Sequence, residues 1–179
     1  QDQAVEQANA ALSTFVERFN LSHLDGLRRK VGLSTQQDGD LALAQDLLDR
    51  MAAGKADFTL TFRRLCEAAM DAERDADVRI LFENPASYDD WAGRWRRRLE
   101  AEPGGGASRR AAMRSVNPAF IPRNHRVEAV IQAAVNDDYA PFEELLTVLS
   151  KPFDDQPAYT AYADPPLPEQ RVLQTFCGT

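Results

Sequence analysis

Ser87-Tyr-Asp-Asp-Trp91-Ala-Gly-Arg-Trp95-Arg-Arg-Arg-Leu99 is the stretch that decides the fold. Trp91, Trp95 and Leu99 fall at i, i+4 and i+8, the spacing that places three large apolar side chains on one helix face. Ser87-Tyr-Asp-Asp90 ahead of them fits a capping box, in which the hydroxyl and the carboxylate satisfy the first free amides. Arg94, Arg97 and Arg98 fall on the opposite face, where their stems cover apolar surface while their charges stay in water. The spacing predicts an amphipathic helix.

The same texture extends outward in both directions. Val5, Leu12, Phe15, Val16 and Phe19 predict a first helix over about 2–19, and Ser22-His-Leu-Asp25 fits a second capping box opening a short helix to about Gly32. Leu41, Ala44, Leu47, Leu48 and Met51 predict a helix from Asp40 to Ala53, closed by Gly54 in a positive-φ conformation. Asp57 is placed to cap the next, with Phe58, Phe62, Leu65, Cys66 and Ala69 facing inward. Residues 71–77 are charged and weakly periodic, which reads as a solvated helix end or loop.

Pro103-Gly-Gly-Gly106 breaks the chain, a possible sub-boundary at 103–106, and a short basic helix is expected over 108–116. Asn117-Pro-Ala-Phe-Ile-Pro122-Arg-Asn124 carries two prolines four apart, which exclude a helix interior and set an extended or turned path. Asn124 can cap a helix to about Ala134, with Val127, Val130, Ile131 and Ala134 inward. Pro141 suits the first turn of a last helix holding Phe142, Leu145, Leu146 and Leu149. Prolines at 152, 157, 165, 166 and 168 then impose a tail, either wrapped or flexible. The fold class is mainly α: a helical domain over 1–151 and a Pro-rich tail over 152–179.

Composition narrows the function classes. The chain has 179 residues, enough for one domain or a large piece of one, and 44% of them are hydrophobic, enough to build a core. No apolar run nears the roughly 18 residues of a membrane span. The polar start, Gln1 to Ala10, lacks the layout of a signal peptide and a first Met, so an excised or processed piece of a longer protein is expected. A net charge of −7 argues against nucleic-acid binding, although residues 94–126 hold nine arginines against Glu100 and Glu102. That stripe faces either phosphate or an acidic surface of the protein.

Candidate chemistry is sparse. Cys66 and Cys177 are the two cysteines and His23 and His125 the two histidines, with no metal-ligand spacing and no Ser or Cys partner for a triad. Gly104 to Gly106 lacks the flanking pattern of a phosphate loop, so it reads as a surface turn. The carboxylate pairs Asp89/Asp90, Asp137/Asp138 and Asp154/Asp155 lie at helix starts or turns, where Asp caps backbone amides. Cys66 reads as a small buried hydrophobe. Two features stand out: Asn117, Pro118, Arg123 and Asn124 within the double-proline segment, and Cys177, the third residue from the end of the given sequence. From the residues alone, Cys177 is either a chance terminal thiol or a tethered one that pairs with a partner cysteine.

VNPAFIPRNHRVE (116–128), FEELLTVLSKPFDDQPAYTAYADPP (142–166) and the closing Phe-Cys-Gly-Thr resemble the C-terminal end of the selenoprotein O family of protein adenylyltransferases. HLDGLRRKVGL, ADFTLTFRRL and WAGRWRRRL are similar to the same family's helical region. The resemblance implies the helical C-terminal region of a protein kinase-like fold, a pseudokinase that transfers AMP from ATP to protein hydroxyls with Mg2+ or Mn2+. It implies that the kinase-like core of the same protein is the main partner, with protein substrates beyond it. It further implies a cytoplasmic location in a bacterium, or a mitochondrial one in a eukaryote.

Cys177 matches the position where family members carry selenocysteine or cysteine near the C-terminus, which implies a redox role with a core cysteine as its partner. Nothing here matches a nucleotide-pairing lysine, a glycine-rich loop or a metal-binding aspartate of such a core, so no catalytic, cofactor-binding or metal-binding residue is assigned to this chain. Asn117, Pro118, Arg123 and Asn124 match a family motif to which no chemical role is attached. A stand-alone helical interaction module without enzymology is the alternative reading.

Overall fold

Trp91 and Trp95 are fully buried and stack with ring centroids 5.2 Å apart, and the fold is built around them. The computed structural model describes residues 2–172. Along the chain it has α1 (Asp2–Lys30), α2 (Asp40–Ala53), α3 (Phe58–Ala68), a 3-10 turn (Ala72–Arg74), α4 (Asp75–Arg79) and α5 (Pro85–Glu100). These are followed by α6 (Gly106–Arg114), α7 (Asn124–Val135), α8 (Ala140–Leu149) and 3-10 turns at Pro157–Ala163 and Pro168–Gln170. No strand occurs among the described residues, so the mainly α expectation holds.

The Trp helix, α5, is the axis. Each indole sits in apolar surroundings yet finds an acceptor: Trp91 Nε1 donates to Leu43 O at 2.9 Å and Trp95 Nε1 to Val31 O at 2.8 Å. A buried indole N–H left alone would cost roughly 1–3 kcal/mol, so these bonds also set where α2 and the end of α1 lie. Val31, Leu47, Phe62, Leu65, Val78, Tyr88, Leu99 and Met113 complete one core shared by α2 to α6 and the end of α1. Tyr88 closes it near α4, its hydroxyl donating to Asp75 at 2.5 Å.

Several local expectations give way to tertiary context. The Ser22 box does not open a helix. Residues 2–30 form one continuous helix, because no proline or turn interrupts them and Gly26 alone is tolerated inside. α1 stops instead before Gly32, whose φ of +79° and whose proximity to Met113 (2.7 Å from a built Cβ) admit only glycine. The Ser87 box is likewise displaced: Asn84 takes the cap position and Pro85 the first turn, where a missing N–H costs nothing. Gly54 has φ −89°, and the positive φ falls on Lys55 at 50°. Glycine suits position 54 because an added Cβ would crowd Arg50 O at 3.0 Å and Phe82 at 3.1 Å.

Burial also departs from the periodicity at both ends of the chain. Residues 3–23 of α1 are exposed, including Val5, Leu12, Phe15, Val16 and Phe19, because no described element packs against them. Phe58 is half exposed rather than inward. In the α7–α8 hairpin Leu145 and Val148 are buried, while Ile131, Phe142 and Leu146 face out. α6 begins at Gly106, two residues before Ser108, and Arg123, not Asn124, holds the cap position of α7. Residues 71–77 are more ordered than a loop: Asp71 accepts from Glu73 N at 2.9 Å, starting the 3-10 turn that leads into α4.

The tail wraps as far as Val172. Ala119 N and Phe120 N donate to Pro152 O at 2.8 and 3.1 Å, and the Arg126 guanidinium donates to Ala161 O at 2.6 Å while facing the Tyr162 ring. Tyr162 OH donates to Glu144 at 2.7 Å. Cys177 lies outside the described residues.

Candidate functional site

The double-proline segment crosses the molecule where the end of α1, the start of α3 and the tail meet, and its polar residues are buried. Asn117 is fully enclosed. Its Nδ2 donates to Lys30 O at 2.9 Å, its Oδ1 accepts from Lys30 Nζ at 3.2 Å, and its own carbonyl accepts from Arg63 at 3.0 Å. Nδ2 also lies 3.7 Å from Cys66 Sγ. Lys30 Nζ completes this knot by donating to Val116 O at 3.2 Å and lying 5.2 Å from the centre of the Phe62 ring.

The charges respond to that enclosure. Burial pulls the Lys30 ammonium below its usual range, with Cys66 opposing the shift. Burial pushes the Cys66 thiol up, opposed by the Asn117 bond and by Arg63, so Cys66 is an inert, protonated core thiol. The reading of Cys66 as a small hydrophobe is supported by its complete burial.

Pro118 follows Asn117 and has no N–H, so the chain leaves the knot without an unsatisfied donor. Arg123 forms a two-pronged ion pair with Asp57, at 2.7 and 3.1 Å, with the guanidinium only 6% exposed. Asp57 simultaneously caps α3 by accepting from Leu60 N at 2.8 Å. Burial raises the Asp57 carboxyl, but the bonds from Arg123 and the α3 amides outweigh it and hold the group below its usual range. One carboxylate therefore starts a helix and anchors the double-proline segment. Asn124 is exposed at the first position of α7.

The arginine stripe faces acids of the same chain. Arg94 binds Asp46, Arg96 binds Asp75 at 2.5 Å, Arg110 binds Glu67 at 2.6 Å, and Arg114 binds Glu67 and Asp155. Six of the nine stripe arginines, these four with Arg98 and Arg123, are paired with carboxylates of the same chain. Arg98, expected on the wet face, is instead largely enclosed between Asp40 at 2.7 Å and Glu102 at 2.6 Å. Glu102 also accepts from Ser34 N and Oγ and Thr35 N and Oγ1, and these bonds outweigh burial to bring its carboxyl down to about 2.

The carboxylate pairs have structural partners: Asp89 binds Arg79, Asp90 binds Arg50, Asp138 accepts from Ala140 N, and Asp155 binds Arg63. His23 stacks on Phe19. Among the described residues no three of His, Cys, Asp and Glu converge on a point where a metal could sit. The sequence-predicted residues thus divide. Asn117 and Arg123 are brought to the same seam, Asn124 lies at its edge, and Cys177 is beyond the described chain. Lys30, Asp57 and Arg63 were missed as partners of this seam because each bond spans more than 50 residues of sequence.

This architecture defines a class: an α-helical scaffold whose buried polar residues brace the backbone. The profile described as Protein adenylyltransferase SelO matches residues 3–150, and the chain belongs to that family. It is 66% identical along its whole length to the protein nucleotidyltransferase YdiU of Bradyrhizobium diazoefficiens, of which it covers 36%. It is 60% identical to the YdiU of Rhodopseudomonas palustris strain BisB5, covering 37%, and 54% identical to that of Nitrobacter winogradskyi, covering 35%. The chain therefore spans little more than a third of the length of these relatives. No helix among the described residues is long and apolar enough to cross a membrane.

Proposed function

We propose that this chain is the helical C-terminal part of a SelO-type adenylyltransferase, bracing a kinase-like core that transfers AMP from ATP to Ser, Thr or Tyr hydroxyls of cytoplasmic proteins. The supporting observation is the match along the whole chain to proteins about three times longer that are named nucleotidyltransferases. The remaining length is where a nucleotide site would lie. The polar residues here are engaged with backbone and with one another, and the described donor set does not fit Mg2+ or Mn2+. No step of the transfer is assigned to these residues. ATP and metal would be held by the core, and nucleic acid has no part in the reading because most of the arginine stripe is paired with acids of the same chain.

Cys177 is the exception, as a redox latch to a cysteine of the core. It lies five positions beyond Val172, a reach of about 17 Å in extended form. In the latching step both thiols lose their protons, one S–S bond forms, and a small disulfide oxidant takes up two electrons and two protons to become two thiols. In a reducing compartment the bond would be conditional and switch-like.

The test uses the full-length protein with ATP labelled at the α or the γ phosphate. Transfer of α label without γ label to protein supports adenylylation, and γ transfer would instead mean phosphorylation. A Cys177→Ser variant is expected to lose the oxidant-dependent shift in non-reducing gels; unchanged mobility and unchanged transfer would remove the latch.

A further inference from the structure

From Val127 to Ser150 the chain carries the acids Glu128, Asp137, Asp138, Glu143 and Glu144 and no Lys, Arg or His. These residues build the α7–α8 hairpin and its turn. Among the described residues the side-chain partners of these acids are Gln132, the Ala140 amide and Tyr162, all uncharged. The hairpin thus departs from α2 to α4, whose acids are laid against the arginine stripe.

One side of the hairpin is taken by the wrapped tail, and the other is apolar and bare. Arg126 of α7 donates to Ala161 O and Glu144 of α8 accepts from Tyr162 OH, so the tail crosses the side that these two residues share. At about 3.6 residues per turn, Ile131 and Val135 fall about 140° and 180° around α7 from Arg126, and Phe142 and Leu146 about 160° and 200° around α8 from Glu144. Both pairs therefore lie on the side away from the tail. Glu128 falls there too, about 200° from Arg126. The four apolar residues range from 48% exposed at Ile131 to 75% at Val135, and Tyr139, in the turn between the helices, is 56% exposed. A contiguous apolar patch rimmed by polar groups marks an interaction surface on a folded protein.

We propose that the tail-free face of the α7–α8 hairpin docks a basic amphipathic segment of a second protein. The segment's apolar side covers Ile131, Val135, Phe142 and Leu146, and its cations meet Glu128, Glu143 and the Asp137–Asp138 turn. An apolar centre within a charged rim is the anatomy of a protein interface. Charge decides among the occupants. A second copy docked face to face would set the same acids against these, and like charges brought together across an interface are costly. Phosphate-rich surfaces, of lipid or nucleic acid, are repelled in the same way. The bare stripe of α1 differs: it is flanked by both signs, Glu6, Glu17 and Arg18, and is the face that the bracing role uses. The docking face is independent of where AMP transfer occurs.

Fluorescence anisotropy tests it, by titrating the full-length protein into a labelled peptide of Leu and Lys spaced as an amphipathic helix and into the same pattern of Leu and Glu. Val135→Ser with Leu146→Ser removes apolar surface from the hairpin, and Glu128→Lys with Glu143→Lys reverses its rim. Ile80→Ser, and Asp49→Lys with Glu73→Lys, make changes of the same kind elsewhere on the chain. All of these residues are exposed, so the fold should survive each variant. The expected result is binding of the Lys peptide alone, weakened about tenfold or more by either hairpin variant and by neither control. Wild-type protein that ignores the Lys peptide, that binds the Glu peptide equally well, or that is weakened as much by the controls overturns the proposal. Loss of thermal stability in full-length V135S/L146S would show the face covered by the rest of the same protein, and loss of a dimer would show a second copy there. Either result also overturns it.

Discussion

Glu102 concentrates more hydrogen bonds than any neighbouring acid in the Ser34–Thr35 turn, and its ion pair with Arg98 ties that turn to α5 and, through Asp40, to α2. Removing one member of a buried ion pair leaves its partner uncompensated and costs about 3–5 kcal/mol. Glu102→Ala should therefore lower unfolding free energy by about that amount at pH 7, read by urea titration. The pH dependence has a defined sign. The folded carboxyl lies at about 2, below its unfolded value, so the stabilisation is complete above an unfolded pKa of about 4.3 and is lost as pH falls towards 2. The gap between wild type and variant should consequently narrow at pH 3, and a gap that stays constant would deny Glu102 its acid-sensitive role. Asn117→Ala should cost about 2–3 kcal/mol, because it strands Lys30 and its carbonyl in a seam closed to water. Asn117→Asp is expected to recover only part of that loss, through Lys30 Nζ, because a carboxylate cannot donate to Lys30 O; a purely steric role would predict full recovery.

At the scale of elements, α1 has two halves with different fates. Its last turns enter the core through Leu27, and Val31 follows them, whereas residues 3–23 carry an apolar stripe that no described element covers. A solitary helix of this length is marginal in water. Under the proposed bracing role, Phe15→Ser with Phe19→Ser should leave the thermal unfolding of the separate 179-residue chain within about 1 °C and destabilise the full-length protein by about 2–5 kcal/mol, as two covered aromatics would require. Equal effects in both would show that the stripe packs within this chain. The periodicity made α2, α3 and α5 legible, since each has a buried face set by its own spacing, while α8 was legible as a helix but not in its buried face. It failed at Ser22 and Ser87, where a capping signature depends on a chain break that the sequence around it does not impose. It also failed at Arg98, whose exposure was decided by Asp40, 58 residues away. The candidate site was legible as a motif, through its prolines and asparagines, but not as a geometry, since Lys30, Asp57 and Arg63 reach it across the fold.

For the whole molecule, a net charge of −7 coexists with an arginine-rich middle because the acids of α2 to α4 are laid against it. Those pairs consume charge that could otherwise meet substrate or phosphate. Bracing by this scaffold and chemistry elsewhere in the longer protein are two sides of one account. The most direct measurement is incorporation of α-labelled ATP into protein by the full-length protein and by the 179-residue chain at equal concentration. Label in the full-length reaction and background counts with the chain alone are predicted; label transferred by the chain alone would place catalytic residues among those described here as structural and contradict the account.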